Sequence, residues 1–273
     1  MKTLDPSVQR ERWLRRTLCR RYAAVVFSTF SAPPLKGQQA ENRAICWAFG
    51  SLIRGECEIL GAWNLNGETA TMPAVFGDLS DRGVEFVRCG LGDLRGAEAA
   101  FLATFRMSAL YPSIEQDLAS ALSSVKPRHR AAMSSEMRSM LGEPSGVPAT
   151  VLQPGISSEG LRQKYPGILE RWSGSVAAFR QLFALPEPYR QLVRSVDRTA
   201  IGMQQRLMKA ISRHGPFVDS VEAFDFVVDG LLRADLQLRR EAEAKQLARE
   251  ALVLQSGRYA PVSGGAYGAP VLA

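Results

Sequence analysis

Residues 82–101, RGVEFVRCGLGDLRGAEAAF, are the most informative about the fold, because they predict a strand, a sharp turn and a helix in succession. The apolar run from Val84 to Leu91 predicts a buried strand, and Gly96 opens the predicted helix. Asp93 lies between the two, at the carboxyl end of the strand, where open α/β sheets collect ligands and catalytic groups. Most aspartates at such a place only cap the next helix, so spacing alone does not assign a function to Asp93.

Other short apolar segments complete a predicted sheet. They lie at 22–29, 42–50, 57–63 and 107–111. The glycine-containing link at 52–55 predicts an antiparallel hairpin. With the strand and helix of 82–101, the order is three antiparallel strands followed by strand, helix and strand. The stretch 67–75 gives no clear signal.

Beyond residue 112 the apolar spacing becomes helical. Helices are predicted at 113–125, 127–141, 159–172, 176–183, 189–214 and 219–254. Pro166 breaks the third of these, and the residues at 143–155, rich in proline and glycine, predict a loop. The length and mixed charges of the last helix suggest packing on a partner or on a second copy. Residues 256–273 are typical of a flexible tail.

The composition favours a soluble cytoplasmic protein with affinity for nucleic acid. The net charge is +7, and only six of the 34 basic residues are lysines. Arginine suits phosphate and a basic surface binds DNA in a salt-dependent way, although a GC-rich genome also enriches arginine. No apolar run approaches the ~20 residues of a membrane span, and the N-terminus lacks the apolar core of a signal peptide. Because the four cysteines form no CxxC pair and there are two histidines, we expect free thiols and no zinc site.

Two basic segments are candidates for contact with phosphate. Residues 8–21 predict a basic helix, for which docking on the core through Trp13 and Leu14 and an arm on phosphate are equal alternatives. The helix at 189–214 carries two basic groups, for which a solvated face and DNA contact both stay open. Their members are Arg190, Arg194 and Arg198 in the first group, and Arg206, Lys209 and Arg213 in the second.

Several blocks, in order, resemble the core of the prokaryotic Mutator-type insertion-sequence transposases. They are Asn42 and Arg43 followed by AICWAFGS, GECEILGAW at 55–63, FGDLSDRGV at 76–84, Asp93 with the following LRG, and KYPGILERW at 164–172. The spacing agrees from about residue 22 to about residue 217. The resemblance implies an α/β fold with a ribonuclease H-like mixed sheet, whose strand order matches the one predicted above. It also implies an all-helical insertion, followed here by a long C-terminal helix.

The resemblance divides the chain into five regions. They are a basic N-terminal helix or arm (1–21), the first part of the core (22–112), the helical insertion (113–187), the late core helix with the long C-terminal helix (188–255), and the tail (256–273). Intact relatives carry a sizeable DNA-binding region before the core. Almost nothing precedes the core here, which leaves site-specific recognition of element ends open.

Relatives of this type cut and join DNA with two metal ions held by three carboxylates. Mg²⁺ is the implied metal, and it takes oxygen ligands. By local motif, the second carboxylate matches Asp93, whereas the first falls on Ser28. The third falls on Ala200, Ile201 or Gly202.

The neighbouring positions also depart from the family pattern. A Cys-x-x-His pair of the relatives falls on Ser113 and Gln116, and Asp197 lies one turn too early to replace the third carboxylate well. We therefore expect Asp93 to be the one retained metal ligand and Mg²⁺ not to be bound productively.

The sequence thus predicts a catalytically depleted transposase homologue that serves as a DNA-binding or multimerising scaffold. Its expected partners are DNA, at element ends or non-specifically, and a second copy or an intact transposase in a mixed assembly. A DNA-bound fraction would lie on the nucleoid. The alternatives are a protein-interaction factor that no longer binds DNA, and residual metal-dependent cleavage through Asp93 with borrowed carboxylates.

Overall fold

The computed structural model describes residues 5–37, 44–65, 71–94, 96–141 and 158–258. The strands are β1 (Arg21–Ser31), β2 (Ala44–Ser51), β3 (Cys57–Asn64), β4 (Phe86–Leu91) and β5 (Ala109–Tyr111). They form one mixed sheet in the order β3-β2-β1-β4-β5. β1, β2 and β3 pair antiparallel, whereas β4 pairs parallel with both β1 and β5. The predicted mixed α/β class, the strands and the hairpin are therefore confirmed.

Helices surround this sheet. They are α1 (Pro6–Leu14), α2 (Met72–Asp81), α3 (Glu98–Thr104), α4 (Ile114–Ser123), α5 (Arg130–Ser139), α6 (Ser158–Lys164), α7 (Pro166–Phe183), α8 (Glu187–His214) and α9 (Ser220–Arg258). A 3₁₀ turn, Pro127–His129, leads into α5. Within the part of the chain that the structure describes, no helix is both long and apolar enough to cross a membrane.

β1 is the centre of the fold because its alternating side chains feed two cores. Val25 and Phe27 pack toward α2 and α3, where the ring centroids of Phe27 and Phe76 are 5.4 Å apart in an edge-to-face arrangement. Val26 belongs to the core on the opposite face, which α8, α9 and the helices at 114–183 cover. A strand buried on both faces reads as a continuous apolar run, which is the pattern that made β1 predictable.

The exposed edge of β3 is closed by side chains. The register with β2 leaves one extra residue, Leu60, on β3. Arg82 donates to the Leu60 carbonyl (2.7 Å), and Arg16 donates to the Ile59 carbonyl. The Ile59 N–H donates to the buried carboxylate of Asp235 on α9 (2.8 Å). These contacts satisfy backbone groups that a sheet edge leaves unpaired.

The N-terminal helix is shorter than predicted and docks on α9. Helix α1 ends at Leu14, so its predicted extension to residue 21 is wrong. The chain leaves the helix because the Leu18 N–H pairs with the Arg82 carbonyl (2.8 Å) and the Leu18 side chain enters the core. Arg10 pairs with Asp225 (2.7 Å) on α9. Of the two alternatives for this segment, the structure shows docking.

Two other helix predictions need correction. Residues 176–183 are not a separate helix, because α7 continues from Pro166 to Phe183. Trp172 and Phe179 lie on the same side of α7 with ring centroids 5.7 Å apart, and both rings are buried in the core. Helix α9 extends to Arg258, so the first residues of the predicted tail are helical. The predicted loop at 143–155 and the rest of the tail lie outside the described residues.

Candidate functional site

The carboxyl ends of β1, β4 and β5 meet where Asp93 leaves the sheet. The parallel register pairs Val26 with Leu91, and the chain then turns at Gly92. A Cβ on Gly92 would lie 2.4 Å from the Phe27 carbonyl oxygen, and its φ of 142° also favours glycine. Gly92 therefore allows the chain to pass tightly against Phe27 of β1, and the exposed Asp93 follows it directly.

Ser28, on which the resemblance places the first carboxylate, is buried and hydrogen-bonded to α4. Its side chain is 1% exposed. The Gln116 amide donates to the Ser28 hydroxyl (2.8 Å) and to the Phe27 carbonyl (3.3 Å). The side-chain amide of Gln116 on α4 thus donates to two oxygens in the carboxyl-terminal half of β1.

Ser113 and Asp197 continue this network. The Ser113 hydroxyl donates to one carboxylate oxygen of Asp197 and accepts from the Gln116 N–H (3.0 Å). The other carboxylate oxygen accepts from the Glu115 N–H (3.1 Å). Asp197 on α8 therefore caps the N-terminus of α4, where the helix dipole favours negative charge. We call Ser28, Ser113, Gln116 and Asp197 the α4 joint.

Burial dominates the electrostatics of Asp197. The residue is 3% exposed, and desolvation raises the pKa of its carboxyl group to about 6. The hydrogen bonds from Ser113 and from the α4 backbone lower that pKa but do not offset the burial. Desolvation also raises the pKa of the nearby Cys89 thiol, and the Asp197 charge raises it further. Burial thus disfavours the charged forms of both groups.

A buried ion pair reinforces the joint. Arg138 on α5 donates to both carboxylate oxygens of Glu115, at 3.0 and 2.6 Å. Arg198 on α8 approaches the same carboxylate at 3.6 Å. The first turn of α4 is consequently bound to β1, α5 and α8 at once.

The three candidates for the third carboxylate position face different directions on α8. Successive helical residues are rotated by about 100°. Ala200 is fully buried in the core beneath the helix, and Gly202 faces open space. Ile201 is half-buried and lies one turn after Asp197, on the same side of the helix. None of the three can bind a metal ion through its side chain.

The residues at this site do not fit the two Mg²⁺ ions that the resemblance implies. Ser28 offers a neutral hydroxyl that already accepts a hydrogen bond, and the Asp197 oxygens are directed at α4. Among the described residues, no group of three or more His, Cys, Asp or Glu side chains could hold a metal ion. Hard divalent cations need several charged oxygens, and Asp93 supplies one carboxylate.

The first basic group of α8 serves largely to pack the corner between α7 and α8. Arg190 pairs with Glu187 and donates to the Phe183 carbonyl (2.6 Å). The half-buried Arg194 guanidinium lies 5.9 Å from the Phe183 ring centroid, and burial lowers its pKa. Arg198 is the exposed member, with 61% of its side chain accessible.

The second basic group is open to solvent. Arg206, Lys209 and Arg213 are exposed and fall on one stripe of α8, which Arg198 extends. Their spacing of three or four residues places these side chains on one side of α8. That side lies opposite the buried face of the helix. The helix ends near the loop after β1, where the Lys36 N–H pairs with the Phe217 carbonyl (2.7 Å). The open stripe therefore extends toward the same end of the sheet as Asp93.

Sequence reasoning did not find the α4 joint, although a signal for it exists. Ser113 and Gln116 have the S-x-x-Q spacing of a capping box, in which the serine side chain bonds the backbone N–H three residues later. The structure shows that bond, but directs the Gln116 side chain to β1 instead of to the Ser113 N–H. The joint needs a partner on α8 that is 84 residues away from Ser113.

Comparisons with known proteins agree with the resemblance carried by the sequence blocks. The family model described as "Transposase, Mutator family" matches residues 1–220. A curated relative from Corynebacterium diphtheriae, a probable transposase for an insertion sequence element, is 24% identical over 243 residues. That alignment covers 88% of this chain and 70% of the relative.

Proposed function

Because the chain belongs to the Mutator family of transposases, we propose that it keeps the family scaffold and an affinity for DNA without the centre that cuts and joins DNA. The observation that carries this proposal is the α4 joint. Positions at which the family places metal-binding and neighbouring polar groups form instead a closed hydrogen-bond network between β1, α4 and α8.

The strand order supports a ribonuclease H-like core. Three antiparallel strands come first, and β4 and β5 then add in parallel on the other side of β1. Helix α8 returns to the sheet after the helices at 114–183, as expected for a core interrupted by an insertion. On this basis we assign 22–112 and the late helix to the core, and 113–187 to the insertion.

The chemistry of the site argues for loss of cleavage. Two-metal catalysis needs carboxylates that bridge and hold both ions against the attacking and leaving oxygens. Ser28 and the residues 200–202 cannot supply them. Asp197 is a poor replacement, because moving its carboxylate toward a metal would leave buried N–H groups of α4 without acceptors, which costs about 1–3 kcal/mol for each group.

The DNA surface in this proposal is the basic stripe of α8. Arg198, Arg206, Lys209 and Arg213 expose their charges along one side of the helix, and the chain as a whole carries a net charge of +7. Such a stripe binds phosphates by charge and reads no bases, so the expected binding is non-specific. A DNA-bound fraction would lie on the nucleoid of the cytoplasm.

Helix α9 supplies the surface for assembly. Its residues up to about Arg239 contact β3 and α1, whereas residues 240–250 are almost all exposed. A helix that extends this far beyond its own core offers a surface for a second copy or for an intact transposase.

The test is binding to a short fluorescent duplex across a salt series, with and without Mg²⁺. We expect affinity that rises steeply as salt is lowered and that Mg²⁺ does not increase beyond its screening effect. Replacing Arg206, Lys209 and Arg213 by alanine should reduce the slope of log K against log salt by about 2–3. A control variant replaces the exposed Arg54, Arg106 and Arg233, which gives the same charge change on other surfaces. Equal slopes for both variants would contradict the assigned surface, and a Mg²⁺ requirement would contradict the lost metal site.

A further inference from the structure

The far end of α4 carries a second cluster of exposed cations. Helix α4 has ten residues and therefore extends about 15 Å away from the joint. Lys126 and Arg128 follow it and are exposed on the 3₁₀ turn and its N-terminal flank. Lys164, at the end of α6, is also exposed. We call Lys126, Arg128 and Lys164 the insertion-tip cluster.

A buried contact fixes the geometry of this cluster. His129 is buried, and its Nδ1 lies 2.7 Å from the Tyr165 hydroxyl oxygen. The two rings meet edge to face with centroids 5.8 Å apart. Because Lys164 immediately precedes Tyr165 and Arg128 immediately precedes His129, this contact holds the cations of the two segments beside each other.

The charges are close enough to act on the imidazole. Burial lowers the pKa of His129, and the charges of Lys164, Arg128 and Lys126 lower it further. Neighbouring charged groups are already engaged elsewhere: Arg130 donates to the Val125 carbonyl (2.9 Å), and Glu136 pairs with Arg162 (2.7 Å).

The surface around the cluster suits a phosphate backbone better than a protein partner. Protein interfaces depend on a few large, buried apolar or aromatic anchors. Within the described residues of the insertion, 113–141 and 158–187, no large apolar side chain is strongly exposed. Binding to a nucleic-acid backbone needs only positive charge.

We propose that the insertion-tip cluster binds the sugar–phosphate backbone of duplex DNA, as a contact separate from the stripe on α8. This inference rests on the proposed DNA binding of the chain and adds a surface to it. The His129–Tyr165 contact fixes the two backbone segments that carry the three cations, so less of the backbone has to be ordered when phosphates bind.

The test compares wild type with Lys126→Ala/Arg128→Ala/Lys164→Ala, the α8 variant and the control variant, in the duplex-binding assay across salt. Circular dichroism would verify that each variant is folded. We expect the insertion-tip variant to lose about 2–3 from the salt slope, as each phosphate contact contributes about 0.9. If wild type binds and this variant behaves like the control, the inference is overturned and the proposed function stands. If wild type binds no duplex at any salt concentration, both are overturned.

A second readout reports on the cluster directly. The chain has two histidines, so the His129 imidazole can be followed by NMR in a pH titration. Bound phosphates would offset the three neighbouring cations, so saturating duplex should raise the pKa of His129. An unchanged His129 titration on saturated DNA would contradict the inference even if overall binding is strong.

Discussion

Asp197→Ala removes the carboxylate that caps α4 and therefore tests the α4 joint severely. The carboxylate accepts hydrogen bonds from the Ser113 hydroxyl and from the N–H groups of Ile114 and Glu115. Loss of a helix cap costs about 1 kcal/mol, and a buried N–H left without an acceptor costs about 1–3 kcal/mol. Removing the charge also relieves the desolvation that burial imposes on the carboxylate, which offsets part of this cost. We therefore expect the free energy of unfolding at pH 7 to fall by about 2 kcal/mol, measured by urea denaturation followed through tryptophan fluorescence.

Asp197→Asn is the matched variant for the same assay. Its amide oxygen can still accept hydrogen bonds, and the buried negative charge is gone. We expect its free energy of unfolding at pH 7 to lie within about 1 kcal/mol of wild type, since the lost acceptor and the removed desolvation penalty oppose each other. An alanine variant as stable as wild type, or an asparagine variant as unstable as the alanine variant, would show that Asp197 does not cap α4 in this way.

The difference in stability between wild type and Asp197→Asn should depend on pH, and the raised pKa of Asp197 determines its sign. Burial raises the pKa of Asp197 from 3.8 to about 6, so folding penalises the ionised form. Protonated Asp197 therefore stabilises the folded state relative to the ionised form. This contribution to the free energy of unfolding is fully present below pH 3.8, the ordinary pKa of the unfolded chain, and is lost as the pH rises through about 6, the pKa in the folded protein. The shift of about two units corresponds to about 3 kcal/mol. Wild type should therefore lose stability relative to Asp197→Asn between about pH 4 and pH 7. A constant difference across this range would contradict the raised pKa.

Other substitutions test the surroundings of the joint. Gly92→Ala should lower the free energy of unfolding by about 2–4 kcal/mol, because the added Cβ would collide with the β1 backbone. In the control Gly174→Ala, on α7, the added Cβ meets open space, so this variant should be neutral or more stable by up to about 1 kcal/mol. Gln116→Leu should destabilise by about 1–2 kcal/mol through lost donors to β1, again measured by urea denaturation. Trp13→Phe removes the indole N–H that donates to buried Asp235 (3.0 Å) and should lower the thermal midpoint by several degrees; an unchanged midpoint would show that this bond does not hold α1 in place.

The strands of the sheet were predictable because each of them has a recognisable apolar pattern in its own sequence. β1 reads as an apolar run, since both of its faces are buried, and the turn at Gly92 follows from glycines at the end of β4. The end of α1 was not predictable in the same way. Its sequence stays basic and compatible with a helix past Leu14. The helix ends where Leu18 instead pairs with the backbone of Arg82, which is distant in sequence.

Sequence motifs single out individual positions of the candidate site, but they do not indicate the hydrogen-bond network between them. Matching local motifs identified Ser28, Ser113 and Gln116 as departures from the family pattern, and that remains the basis for the expected loss of metal. The link between these positions requires Asp197, which is distant in sequence and which motif matching considers only as a substitute metal ligand. Its actual contacts make it the cap of α4.

The most direct test of the central claim is cleavage of a labelled duplex with Mn²⁺ or Mg²⁺, comparing wild type with Asp93→Asn. Asp93 is the carboxylate that matches a family metal ligand, so any remaining two-metal centre would depend on it. We expect no metal-dependent cleavage above a protein-free control and no difference between the two proteins. Metal-dependent cleavage by wild type that disappears in Asp93→Asn would contradict it.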